Sequence, residues 1–167
     1  MIGWMDDWMD GWMDGWGIRV WELSSGAGRW AVKRNNVNRG YRDLRVWQDA
    51  VDLYVLVSRA FAKPAFELGK VTSNLLDAAN SISRNIAEGY CRRSAKEYLN
   101  FLNIALGSCG ELLSAVTASN KASQLPDDKF EAIDTLHYKV ENELLKLIQA
   151  IRNKNRDGEW NEAFSER

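Results

Sequence analysis

The sequence predicts an all-α protein: an antiparallel up-and-down four-helix bundle with an irregular N-terminal extension. Three observations predict it. Apolar residues recur at i, i+3 and i+4 through residues 41–153. Start and stop signals cut that stretch into helices of about 20–28 residues. No alternating run of the kind a half-buried strand shows competes with them. Short connections between long helices set neighbours antiparallel, which makes a bundle. A chain of 167 residues has room for one such core.

The first helix runs from Asp43 to Ala62, with Leu44, Trp47, Val51, Tyr54, Val55 and Ser58 on one stripe, and Pro64 closes it. The second runs from Phe66 to Glu88 with Leu68, Val71, Leu75, Ala78, Ala79, Ile82 and Ile86 facing one way. Gly89 suits the left-handed position that ends a helix. The third opens at "SAKE", a capping box in which Ser94 accepts from the amide of Glu97 and Glu97 reaches back. Its stripe is Tyr98, Phe101, Leu102, Ala105, Leu106, Cys109, Leu112, Leu113 and Val116. The fourth opens at "PDDKF", where Pro126 and two carboxylates favour a helix N-terminus. Its stripe runs Phe130, Ile133, Leu136, Val140, Leu144, Leu147, Ile148 and Ile151.

Composition shifts divide the chain into an extension (1–40), the bundle (41–153) and a polar tail (154–167), mobile rather than packed. The extension holds six of the eight tryptophans, all four methionines and seven of the twelve glycines. Its "WMDG" period places Trp4, Trp8, Trp12 and Trp16 four residues apart. As a helix it would show an acidic polar face, and Gly11 and Gly15 would each cost about 1 kcal/mol. The same period follows from a tandem TGGA tetranucleotide read in triplets. The extension is therefore read as disordered, a translated repeat upstream of a true start near Val32 or Val37.

The formal net charge of −1 supplies no overall field toward nucleic acid or membrane. No uninterrupted apolar run approaches a bilayer span, and no secretory signal is evident. Cys91 and Cys109 have no disulfide or zinc spacing, so both are read as free thiols of a cytoplasmic protein.

One long motif stands out, "SISRNIAEGYCRRSAKEYLNFLNIALGSCGEL" (Ser81–Leu112), preceded by "DLRVWQDAVDL" (Asp43–Leu53). Together they resemble the proteins encoded by intervening sequences within 23S ribosomal RNA genes. The matching residues are Leu44, Val46-Trp47-Gln48 and Ala50; Ser81-Ile82 and Asn85-Ile86-Ala87-Glu88-Gly89; and Phe101-Leu102, Ile104-Ala105, Gly107-Ser108 and Glu111-Leu112. The resemblance implies a left-handed antiparallel bundle assembled as a homopentamer, with no catalytic residues and no cofactor. A related branch, the accessory variability proteins of diversity-generating retroelements, binds nucleic acid and a reverse transcriptase. This chain departs from the pattern at Leu76-Asp77, where many relatives carry an Arg pair. From Tyr41 to Lys154 there are 15 Lys and Arg against 14 Asp and Glu, a net of +1.

The basic residues that remain are local. Arg84, Arg92, Arg93 and Lys96 lie around the turn between the second and third helices and are the expected nucleic-acid contacts. Asn85 is expected to bond across the bundle, and Glu88 to pair with Arg92 or Arg93. "GSCG" (Gly107–Gly110) reads as a close helix approach, within the bundle or between subunits, with Cys109 in the core. Nearby arginines favour a lower pKa for Cys91, but with no second Cys or His in its sequence context no chemistry is assigned to it. His137, the single histidine, reads as a packed or partly exposed helix residue, and no metal or catalytic constellation surrounds it. The leading expectation is a non-catalytic homo-oligomer associated with RNA or DNA, with no membrane partner. The alternative is a protein–protein adaptor or structural oligomer without nucleic-acid affinity.

Overall fold

The computed structural model describes residues 37–62, 69–92, 94–158 and 160. The tryptophan tract, Pro64, Phe66, Leu68, Arg93 and the last seven residues lie outside the described residues. Four α-helices follow a short 3-10 turn at Val37–Asp43: α1 (Arg45–Ala60), α2 (Gly69–Tyr90), α3 (Ala95–Lys121) and α4 (Asp127–Arg156). No strand occurs among the described residues.

Each helix packs on two neighbours, in the order α1, α2, α3, α4 and back to α1. Paired side chains give the directions. Arg45 meets Glu143 and Asp49 meets Lys139, so α1 and α4 run opposite ways. Cys109 meets His137 and Asn120 meets Asp127, which gives the same relation between α3 and α4. Ser81 meets Ser108 while Gly89 packs on Tyr98 and Phe101, so α2 and α3 are opposed as well.

Local chemistry explains the helix ends. Ser94 Oγ accepts from the Glu97 amide at 3.1 Å and caps α3, one half of the box read from "SAKE". Pro126 occupies the N-cap position of α4 without a side-chain cap bond, and Asp127 and Asp128 occupy its first turn, where the exposed amides favour negative charge. After α3 the chain reverses through Ser123, whose φ of 57° is left-handed.

The core runs through all four helices: Leu53, Leu75, Ile82, Ile86, Leu102, Leu112, Ile133 and Leu144 are fully enclosed. At about 1.5–3 kcal/mol for each large apolar side chain, this burial is the main force holding the bundle together. The expected stripes hold for α3 and α4, with Phe101, Leu106, Leu113, Phe130, Leu136 and Leu147 half-buried; in α2 the stripe holds from Leu75 onward, while Val71 is exposed and Leu68 lies outside the described residues. In α1 the expected stripe is rotated by about one residue. Val46, Ala50, Leu53 and Val57 form the buried face, while Trp47 and Tyr54 lie at its edge. Both series have helical spacing. The smaller aliphatic set fills the narrow interior, and the aromatics keep a polar tip toward water.

Two glycine readings change. Gly89 does not end α2 in a left-handed conformation; it is buried within the helix. A Cβ there would lie 2.8 Å from the Tyr98 ring and 2.9 Å from Phe101 Cβ, so its role is close approach of α2 to α3. Gly107 and Gly110 serve no such approach within the bundle, because an added Cβ meets nothing within 4 Å at either. Ser108 and Cys109 between them are the buried pair.

α3 also differs from the reading of apolar runs. By length and composition it could cross a membrane, with an 18-residue stretch of mean hydropathy 1.4, of which 33% is buried in the bundle. Scattered Asn, Ser and Gly residues hide that average from a search for unbroken apolar sequence.

Candidate nucleic-acid interface

At one end of the bundle the 3-10 turn, the end of α2, the start of α3 and the end of α4 come together. A chain of rings joins them. Centroid separations are 5.2 Å for Trp47–Tyr41, 6.3 Å for Tyr41–Tyr90, 6.2 Å for Tyr90–Tyr98 and 6.2 Å for Tyr98–Trp160. All lie in the range where edge-on and tilted aromatic pairs attract. Trp160 thus packs on the core although it belongs to the segment read as a mobile tail. Gly40 sits beneath the Tyr90 hydroxyl, where any side chain would collide. Burial pushes the Tyr90 and Tyr98 hydroxyls above the usual phenol range, so both stay neutral.

The turn from α2 to α3 places Cys91 and Arg92. Cys91 Sγ donates to the Asn38 carbonyl at 3.3 Å, tying the turn to the 3-10 segment. The expected lowering of its pKa is reversed. Partial burial raises it first, Arg92 pulls it down, and Glu88 raises it further. Arg92 donates to Glu88 Oε1 at 2.6 Å, one of the two expected pairings. Its guanidinium carbon lies 4.8 Å from the centroid of the Phe101 ring, within cation–π range.

Beside this stack an open depression wraps the first turns of α3. Its lining includes Arg92, Lys96, Asn100, Phe101, Asn103 and Asn155. Lys96, Asn100 and Asn103 share a helix face because they are four and three residues apart. Asn103 Nδ2 donates to the Leu99 carbonyl at 2.8 Å, which leaves its Oδ1 to accept.

Of the four expected contact residues, Arg92 and Lys96 meet at the depression. Arg84 is exposed on α2 and is not part of its lining; Arg93 lies outside the described residues. Asn85 does not bond across the bundle. Its amide donates to Ser81 O at 2.7 Å and Ser81 Oγ at 3.0 Å, and the Ser81–Ser108 hydroxyl pair at 2.8 Å makes the crossing. Sequence reasoning missed Phe101, Asn100, Asn103 and Asn155. It also missed Arg39, Arg42 and Arg152, which are exposed on elements meeting at this end. Opposed helix directions were the available signal: they bring the start of the first helix and the end of the fourth to the second turn. Asp43, Glu88, Glu97 and Asp157 temper the positive charge there.

Away from this end, His137 is buried and packed, with Nε2 at 2.8 Å from the Cys109 carbonyl. Burial pushes the Cys109 thiol up to about 12. Among the described residues no three His, Cys, Asp or Glu side chains gather as a metal would require.

Residues 42–146 match the 23S rRNA-intervening sequence protein family. Among solved structures, a protein of unknown function from the S23 ribosomal protein family of Bacteroides thetaiotaomicron VPI-5482 is similar at 19% identity and a TM-score of 0.49, covering 68% of this chain and 98% of its own. No curated protein matches.

Proposed function

The chain belongs to the 23S rRNA-intervening sequence protein family, and from that premise we propose that it is a non-catalytic, self-assembling helical bundle that associates with nucleic acid through its basic end. The observation that carries this reading is that Arg92 and Lys96 line one depression, while exposed Arg39, Arg42 and Arg152 lie on elements that meet at the same end. Cations gathered in space neutralise several phosphates at once, and repetition in a ring of identical subunits multiplies the effect. Assembly is supported by the outer face of α3. Between Tyr98 and Asn120 the only charged residue is Glu111, Ile104 is 44% exposed, and Gly107 and Gly110 leave room for another helix. A second copy presents the same nearly uncharged face, and the family resemblance supports a ring of five.

The test is fluorescence anisotropy of a labelled structured RNA titrated with the full chain at low and near-physiological salt. Binding that weakens with salt and is lost on reversing Arg92 and Lys96 to Glu is expected. Absence of binding at low salt overturns the nucleic-acid reading. Sedimentation equilibrium tests assembly: a mass of one 19.0 kDa chain would overturn it.

A second reading, a protein–protein adaptor without nucleic-acid affinity, is favoured by the net of +1 over 41–154 and by the commitment of Arg92 to Glu88. Retention of a protein partner by the charge-reversed variant would favour it.

A further inference from the structure

Resting on the nucleic-acid reading, we infer that the depression at the start of α3 takes an unpaired strand, with a base stacked on the Arg92 guanidinium. The chemistry of the lining points to bases more than to phosphates. Arg92 is the cation best placed to meet a phosphate, yet its charge is already paired with Glu88 at 2.6 Å. What it offers is a plane. Its guanidinium carbon lies over the Phe101 ring, 4.8 Å from the centroid, and its side chain remains 41% exposed. Phe101 is held in place because residue 89 is glycine, which lets its Cβ pack close on α2. A guanidinium plane backed by an aromatic ring is a stacking platform for a base.

The polar lining agrees apart from Glu97, its one carboxylate. Asn100, Asn103 and Asn155 contribute neutral amides able to read base edges; Asn103 spends one of its two amide hydrogens on the Leu99 carbonyl and keeps its oxygen to accept. Lys96 is the one lysine or arginine besides Arg92 in the lining. A duplex-binding site needs the reverse balance, many uncompensated cations and few base readers. Moreover, A-form RNA hides the major-groove edges of its bases in a deep, narrow groove, whereas an unpaired strand offers its whole Watson–Crick edges to the amides.

The experiment compares a short labelled RNA strand, the same sequence as DNA, and the RNA annealed to its complement, each titrated by anisotropy with the full chain. At near-physiological salt at least one single strand is expected to bind about tenfold tighter than the duplex; which one identifies the sugar. Arg92→Lys keeps the charge and removes the plane. It is expected to weaken single-strand binding about tenfold and leave duplex binding unchanged. The exposed pair Asn100→Ala and Asn103→Ala should do the same without perturbing the core. Equal binding of strand and duplex, with Arg92→Lys indistinguishable from the parent, overturns the inference while leaving the basic-end reading intact. No binding of any of the three overturns both.

Discussion

His137 Nε2 lies 2.8 Å from the main-chain carbonyl oxygen of Cys109, and both residues are fully enclosed between α3 and α4. A carbonyl only accepts, so Nε2 carries the proton and the imidazole donates. Replacing His137 with Leu keeps the volume and removes the donor. The expected loss is about 1–3 kcal/mol, read from the urea midpoint; an unchanged midpoint would show that the bond contributes nothing net.

The glycines of α2 and α3 should respond in opposite directions. Gly89→Ala forces a Cβ to within 3 Å of Tyr98 and Phe101, and destabilisation of about 1–3 kcal/mol is expected. Gly107→Ala and Gly110→Ala meet open space and should raise helix stability by up to about 1 kcal/mol each. If α3 is the assembly face, these two alanines also weaken association. Thermal melts together with sedimentation separate the two effects.

Ser123 holds a left-handed φ of 57° in the exposed turn after α3. Ser123→Gly should stabilise by about 0.5–1 kcal/mol, because glycine adopts that conformation without a Cβ penalty. A drop in stability would mean that the greater freedom of the unfolded chain outweighs the relief.

Glu143 is paired with Arg45 at 3.6 Å, yet its carboxyl is pushed above the usual range. Burial is the largest cause, followed by a hydrogen bond and repulsion from Asp49, while Lys139 and Arg45 pull the other way. A raised native pKa means the folded state holds its proton more tightly. This contribution is fully present below the ordinary carboxylate value of about 4.3 and is lost as pH rises through the native value. Across that window the native protein should lose stability relative to Glu143→Gln, as read from paired denaturation curves. The opposite slope would show that the two cations dominate.

Much of the fold was legible because helices are local. The Ser94 cap, the Pro126-Asp127-Asp128 start and the stripes of α2 to α4 depend on residues within a turn or two of one another. The α1 face was less legible: two stripes in that segment satisfy the same periodicity, and only the neighbouring helices choose between them. The 3-10 turn at Val37–Asp43 was missed because its ordering comes from Tyr41 meeting Trp47 and Tyr90, which no local pattern announces.

The candidate site shows the same division more sharply. Arg92 and Lys96 could be singled out from one charged turn, where proximity along the chain guarantees proximity in space. Phe101 looked like a core residue because its spacing fits the stripe, and nothing in the string of letters reveals the guanidinium on its ring. Asn155 is 59 residues from Lys96 yet lines the same depression. Short-range hydrogen bonding and periodic burial are written into neighbouring residues, so sequence alone fixes the helices and most of their faces. Which side chains share a surface depends on helix direction, rotation and close approach. Those are set when α1 to α4 compete to fill one interior, as Gly89 shows by admitting Phe101.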